Sequence, residues 1–228
     1  MNTMQSTSFN DSNTGSSTER AQAQPANSVA EFHDFLRDIA KLPQIHAKFL
    51  NTLSFMEYMG SRKILKSQRA ESITFELLSH TAEEIRHAQT FKKIALKMSD
   101  GKVSSYSAEH LFCGVEAATY FQTLDQTAAQ RLGAPDSWAN YLLTTLLIEE
   151  RANQIYPFYE EILAAAGYPG YLKLIVREEN SHLQDIAAEI TGNTPISPTL
   201  LDELRKIEGA AFTKFTASLK AELSALRA

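Results

Sequence analysis

The sequence predicts an all-α protein, and three observations lead there. From Ser28 onward apolar residues recur at alternating steps of three and four, no segment shows the strict alternation of a half-buried strand, and Gly, Pro and Asn fall far enough apart to leave room for helices of several turns. With 228 residues and no long linker after residue 28, the chain reads as a single helical domain over 29–228.

Residues 1–28 are rich in Ser, Thr, Asn and Gln and lack the basic and apolar stretches of a signal peptide, so a disordered tail is expected there. A short helix follows at about 28–41. Pro43 then opens the first long helix, A, where its missing N–H matters least. Helix A reaches about 66 and aligns His46, Phe49, Leu53, Glu57, Gly60 and Ile64 on one face. Helix B, about 69–99, carries Ile73, Leu77, His80, Glu84, His87, Phe91, Ile94 and Met98 on one stripe and stops at Asp100-Gly101. A crossover helix at about 107–131 is expected to open with Ser107 as its N-cap and to close at Gly133 and Pro135.

Helix C, about 136–166, aligns Leu142, Leu146, Glu149, Asn153, Tyr156 and Leu163 and ends at Gly167-Tyr168-Pro169-Gly170. Helix D, about 171–191, aligns Leu172, Ile175, Glu179, His182, Ile186 and Ile190 before Gly192, Asn193 and the prolines at 195 and 198. A last amphipathic helix, about 199–226, shows Leu201, Leu204, Ile207, Ala211, Phe215 and Leu219. That face suits either capping of the bundle or pairing with a second copy as a homodimer.

Composition removes several function classes. Hydrophobic content of 43%, charged content of 21% and a net charge of −5 leave no basic excess for nucleic acid or an anionic membrane surface. No apolar run approaches the roughly 18 residues of a membrane span. The single cysteine, Cys113, excludes an intrachain disulfide and suits a reducing compartment, so a cytoplasmic protein is expected, with Cys113 as a small buried side chain.

The chemistry lies in two Glu-x-x-His tetrads, Glu84-Ile85-Arg86-His87 and Glu179-Asn180-Ser181-His182. Residues three apart on a helix project from one face with Cβ atoms about 5–6 Å apart, so a carboxylate and an imidazole can reach one cation. Each tetrad faces an apolar seam, and each follows a helix whose seam carries one Glu: Glu57 before the first, Glu149 before the second. The repeated order reads as an internal duplication, two helical hairpins packed face to face across a pseudo-twofold axis. Four carboxylates buried together are strongly unfavourable without cations, and two divalent metals would neutralise them. Carboxylates with imidazole nitrogens suit iron or manganese, the histidines disfavour calcium, and the absence of thiolates disfavours copper(I) and iron–sulfur clusters. On helix C, Glu149 is preferred to Glu150 because it lies nearer the arc of Leu142, Leu146 and Tyr156. His80, one turn before Glu84, is expected to be a satisfied core histidine, and Glu116 on the crossover helix is a reserve ligand.

This pattern over residues 44–191 resembles the ferritin-like di-iron carboxylate superfamily of rubrerythrins, bacterioferritins and di-iron oxygenases, whose four-helix bundle places one Glu on each of two helices and Glu-x-x-His on the other two. The resemblance implies a ferritin-like four-helix bundle with an extra crossover helix and a C-terminal helix. It implies Glu57 and Glu149 as terminal or bridging carboxylates, Glu84 and Glu179 as bridging ones, and His87 and His182 as nitrogen ligands of two iron ions, or of manganese. In the oxygen-activating branch an acid just before each tetrad bonds the histidine of the opposite helix. Glu83 is therefore expected to hold His182 and Glu178 to hold His87, with Arg86 and Arg177 balancing those acids.

Dioxygen or peroxide is the implied partner, with an organic substrate and electron donor that the sequence leaves open and no catalytic group assigned beyond the metals. Rubrerythrin-like peroxidases often add a Cys-x-x-Cys domain and tend to place a further Glu where this chain has Ala152. Together with the crossover helix, these differences turn the expectation toward an oxidase-like or oxygenase-like oxidoreductase. A ferroxidase or iron-storage protein, and a helical interaction protein with structural metals, are the alternatives. The stretch Leu147-Ile148-Glu149-Glu150-Arg151 is also similar to ferritin-like tRNA hydroxylases, although the modest basic content speaks against tRNA.

Overall fold

The computed structural model describes residues 17–68, 70–133, 138–192, 194 and 196–227, with side chains from residue 28 onward. Among these residues there are seven α-helices and no strand: α1 (Ser17–Ile39), α2 (Pro43–Lys66), α3 (Phe75–Met98), α4 (Gly114–Leu132), α5 (Trp138–Ala165), α6 (Lys173–Gly192) and α7 (Pro198–Ala225). Helices A to D correspond to α2, α3, α5 and α6. Helical backbone from Ser17 corrects the tail expected over 17–28. The tail reading for 1–16, like the stops assigned to Pro135, Asn193 and Pro195, lies outside the described residues.

Two other boundaries differ for identifiable reasons. Helix α3 starts at Phe75 because Thr74 takes an extended backbone and its hydroxyl accepts the Leu77 N–H at 3.3 Å. The expected first turns of the crossover helix are instead a loop with a short 3₁₀ turn, Ala108–His110, because side chains of α2 capture their backbone. The Asn51 amide donates to the carbonyls of Ser105 and His110, and Thr52 exchanges hydrogen bonds with the N–H and carbonyl of Phe112. With its polar groups satisfied this way, the loop buries Phe112 without helical bonds. Helix α4 proper begins after Cys113, which holds a left-handed backbone at φ 53° and is half-buried rather than buried.

Helices α2 and α3 pack as one hairpin and α5 and α6 as a second, and the hairpins meet through α2 against α5 and α3 against α6. Nearly every residue expected on the four seams is buried, from Phe49 and Leu53 to Ile186 and Ile190. Helices α1, α4 and α7 pack on one another and on the α2/α5 side. The last helix thus takes the first of its two expected roles. Its attachment is aromatic and ionic: Phe32 and Phe212 rings lie 5.1 Å apart, and Arg151 of α5 clasps Glu208 of α7 with two hydrogen bonds while Tyr120 of α4 donates a third. None of the described helices is long and apolar enough to cross a membrane.

His46 sits in this core, wholly buried, its Nε2 2.8 Å from the Tyr159 hydroxyl. Burial lowers its pKa to about 4, so it folds neutral. A folded pKa below the unfolded value gives stability that is complete above about 6.5 and lost as the pH falls through about 4. Replacing His46 with Gln, which cannot titrate, is expected to flatten the fall in stability across that window by about 2–3 kcal/mol. Chemical denaturation at several pH values checks this, and identical pH profiles for parent and variant would contradict it.

Candidate metal centre

Six buried side chains and the part-buried His80 converge between the hairpins in two overlapping groups. Glu57, Glu84, His87 and Glu179 form the first and His80, Glu84, Glu149 and His182 the second, with the potential ligand atoms of each group within 4.8 Å of one another. All six residues singled out in the sequence are brought together here. Glu84 belongs to both groups. Glu179 joins only the first, because its carboxylate turns toward His87, with Oε1 3.0 Å from Nδ1.

His80 is satisfied, as expected, yet it also joins the cluster. Its Nε2 lies 3.2 Å from Glu84 Oε1 and 3.4 Å from Glu149 Oε1, so it could serve as a third nitrogen donor. Its other nitrogen, Nδ1, meets the Tyr141 hydroxyl at 2.9 Å. The ring packs 4.0 Å from that of His182, which makes the second group richer in nitrogen than the first. The signal was present, since His80 precedes Glu84 by four residues on one face. The second half has no counterpart, since Ile175 holds the equivalent place before Glu179.

The remaining two imidazoles are oriented from outside. His87 Nε2 is 2.9 Å from Glu178 and His182 Nε2 is 2.6 Å from Glu83, each acid reaching across from the opposite helix. An imidazole that donates Nε2–H to a carboxylate keeps its Nδ1 lone pair free. His182 Nδ1 is buried without a hydrogen-bond partner and faces the cluster, and His87 Nδ1 lies 3.0 Å from Glu179 Oε1. Arg86 spans Glu83 and Glu178 at 3.3 and 3.2 Å. Arg177 has no ion-pair partner among the described residues. Tyr156 donates to Glu57 at 2.5 Å. Both carboxylate oxygens of Glu149 lack a hydrogen-bond partner. Glu150 turns away and pairs with Arg205, which supports the choice between neighbours, and Glu116 is exposed and remote from both groups.

Backbone shape matters at Gly60, where a Cβ would stand 3.1 Å from Glu84 Oε2. A bare Cα there lets α2 approach the shared carboxylate.

The electrostatics are those of a site that holds protons where cations belong. Burial raises Glu57 well above the usual carboxylate range, and the charges of Glu84 and Glu179 raise it further. Burial likewise raises Glu149 and Glu179, with neighbouring carboxylates adding to it. Burial alone would lower the histidines, but hydrogen bonds and charges from Glu149 and Glu84 bring His80 up to about 10, and those of Glu179, Glu57 and Glu84 do the same for His87. Glu84 shows the reverse: burial would raise it, yet the facing imidazoles of His80, His87 and His182 hold it below the usual range. Four carboxylates and three imidazoles form an oxygen–nitrogen donor set without sulfur, since Cys113 is in neither group. Such a set could hold divalent cations.

No family model, no curated protein and no solved structure matches the chain.

Each metal must displace protons from histidines that otherwise keep them up to about 10. Loading with Zn²⁺ at neutral pH is therefore expected to release protons, and affinity to weaken as the pH is lowered. Calorimetry in buffers of different ionisation enthalpy checks both, and proton-neutral, pH-independent binding would contradict them. The same titration on His80→Ala should lose or greatly weaken the second metal while Glu150→Ala keeps both.

Proposed function

We propose that this chain is a dinuclear iron carboxylate protein of the ferritin-like bundle type, with manganese as the alternative metal, and that it carries out oxygen- or peroxide-dependent oxidation. The observation that carries this reading is the pair of ligand groups sharing Glu84. A shared carboxylate sets two cations side by side, and two adjacent ferrous ions would supply two electrons to one oxidant.

The chain's own residues support a reactive rather than a purely structural site. Glu83 and Glu178 fix the tautomers of His182 and His87, and Arg86 balances the acids. Tyr156 holds Glu57 in place with a hydrogen bond, whereas Glu149 has only a 3.4 Å contact with His80. The two faces of the site also differ. The α3/α6 side carries the His–Glu pairs and Arg86, beside a second pocket that reaches His80, Glu83 and His182. The α2/α5 side opens on an apolar cavity lined in part by Glu57, Glu84, Glu149 and Glu179.

Anaerobic loading with Fe²⁺ should give about two iron ions per chain, and air should then consume oxygen and produce a near-ultraviolet ferric absorption. Glu84→Ala should lose at least one metal. Glu83→Gln and Glu178→Gln should stay helical yet bind metal or react about 10–100-fold more weakly. A site that binds iron but is inert to oxygen and peroxide would mean structural metals. Assembly into a hollow cage with uptake of hundreds of ions would mean storage.

A further inference from the structure

A chain of rings leads from His80 to the surface. His80 Nδ1 meets the Tyr141 hydroxyl at 2.9 Å, with the two ring centroids 6.4 Å apart. Tyr141, only 2% exposed, stacks on Trp138 with centroids 4.8 Å apart and 29° between the planes. Trp138 is the only tryptophan in the chain, is 36% exposed and donates its indole N–H to Glu189 at 3.2 Å. At the inner end His80 Nε2 lies within 3.4 Å of both Glu84 and Glu149. Two short steps between rings thus connect the second ligand group with solvent. Phenol and indole are among the side chains most readily oxidised by one electron.

The outer end of this chain has a distinctive setting. Trp138 and Tyr141 line the pocket on the α3/α6 side, whose volume is about 810 Å³. Glu76, Glu83, Asp185 and Glu189 line it too, and among the described residues no lysine or arginine does. Glu76 and Asp185 are exposed. A rim of one sign concentrates cations and repels anions, and here it does so beside the exposed indole.

We propose that Trp138, Tyr141 and His80 are the route by which single electrons reach the centre, and that the acidic rim at Trp138 docks a cationic one-electron donor. This assignment rests on the proposed oxidative centre, because a centre that gives two electrons to an oxidant is left ferric and has to be reduced again. In each transfer the donor loses one electron and one ferric ion becomes ferrous. No bond forms or breaks, the proton between the Tyr141 oxygen and His80 Nδ1 stays between them, and both rings end as they began.

Two measurements on the full-length chain test the route and the dock separately. In the metal-free protein all indole fluorescence comes from Trp138, so its quenching reports what reaches the rim. Scaled to free N-acetyltryptophanamide, hexaammineruthenium(III) should quench it at least about tenfold better than hexacyanoferrate(III) at low salt, and the preference should shrink at high salt. The double variant Glu76→Gln/Asp185→Asn should lose most of that preference. Equal quenching by cation and anion, or a preference unchanged in the double variant, would overturn the dock.

The iron-loaded, air-oxidised protein is then mixed with hexaammineruthenium(II) and the loss of ferric absorption is timed. Trp138→Phe keeps a ring in the stack but not an easily oxidised one, and should slow reduction at least about tenfold with the iron stoichiometry unchanged. Trp138→Tyr should restore most of the rate. If Trp138→Phe fails to fold, the double variant decides, since its exposed substitutions should also slow reduction by the cation. Equal rates in parent and variant would overturn the route alone. Iron that is bound but never oxidised would instead overturn the oxidative centre, whatever the quenching shows.

Discussion

Everything in this molecule is arranged around the burial of Glu57, Glu84, Glu149 and Glu179 between two helical hairpins. Carboxylates taken out of water at such separations repel one another and resist ionisation, and each uncompensated charge costs several kcal/mol. Protons on Glu57 and Glu149 and on His80 and His87 relieve part of this. Two divalent cations would relieve it fully and leave the imidazoles neutral. The aromatic core of α1, α2 and α7 and the Arg151–Glu208 clasp supply the packing that keeps so polar a centre closed.

The two halves of the site repeat one plan and then depart from it. Glu83 with His182 and Glu178 with His87 form reciprocal cross-braces that fit a duplicated hairpin. His80 breaks the symmetry, adding a nitrogen donor to the Glu149 side, while Tyr156 adds a hydrogen bond to the Glu57 side. Unequal donors would make two metal positions unequal, with different affinities and different preferences. A second asymmetry lies across the bundle, with ionic braces on the α3/α6 face and an apolar cavity on the α2/α5 face. Polar braces favour a fixed ligand frame.

Much of this was legible because helical spacing is a strong geometric rule. Leu53, Glu57 and Ile64, or Ile175, Glu179 and His182, share a face in any α-helix, so the seams and six of the seven donors follow from sequence. The cross-braces followed from family resemblance rather than from spacing. His80 shares the Glu84 face, but spacing alone does not separate a ligand from a satisfied core histidine. The loop before α4 does not read as a loop because its backbone partners, Asn51 and Thr52, lie far away in sequence. The same limit hides the cavity, whose walls come from all seven helices.

The central claim is that two cations share Glu84 between these donors, and diffraction at the iron absorption edge from anaerobically loaded crystals tests it most directly. The account predicts two anomalous peaks, one bounded by Glu57, His87 and Glu179, the other by His80, Glu149 and His182, with Glu84 touching both. A single peak, or two peaks with His80 bound to neither, would contradict it.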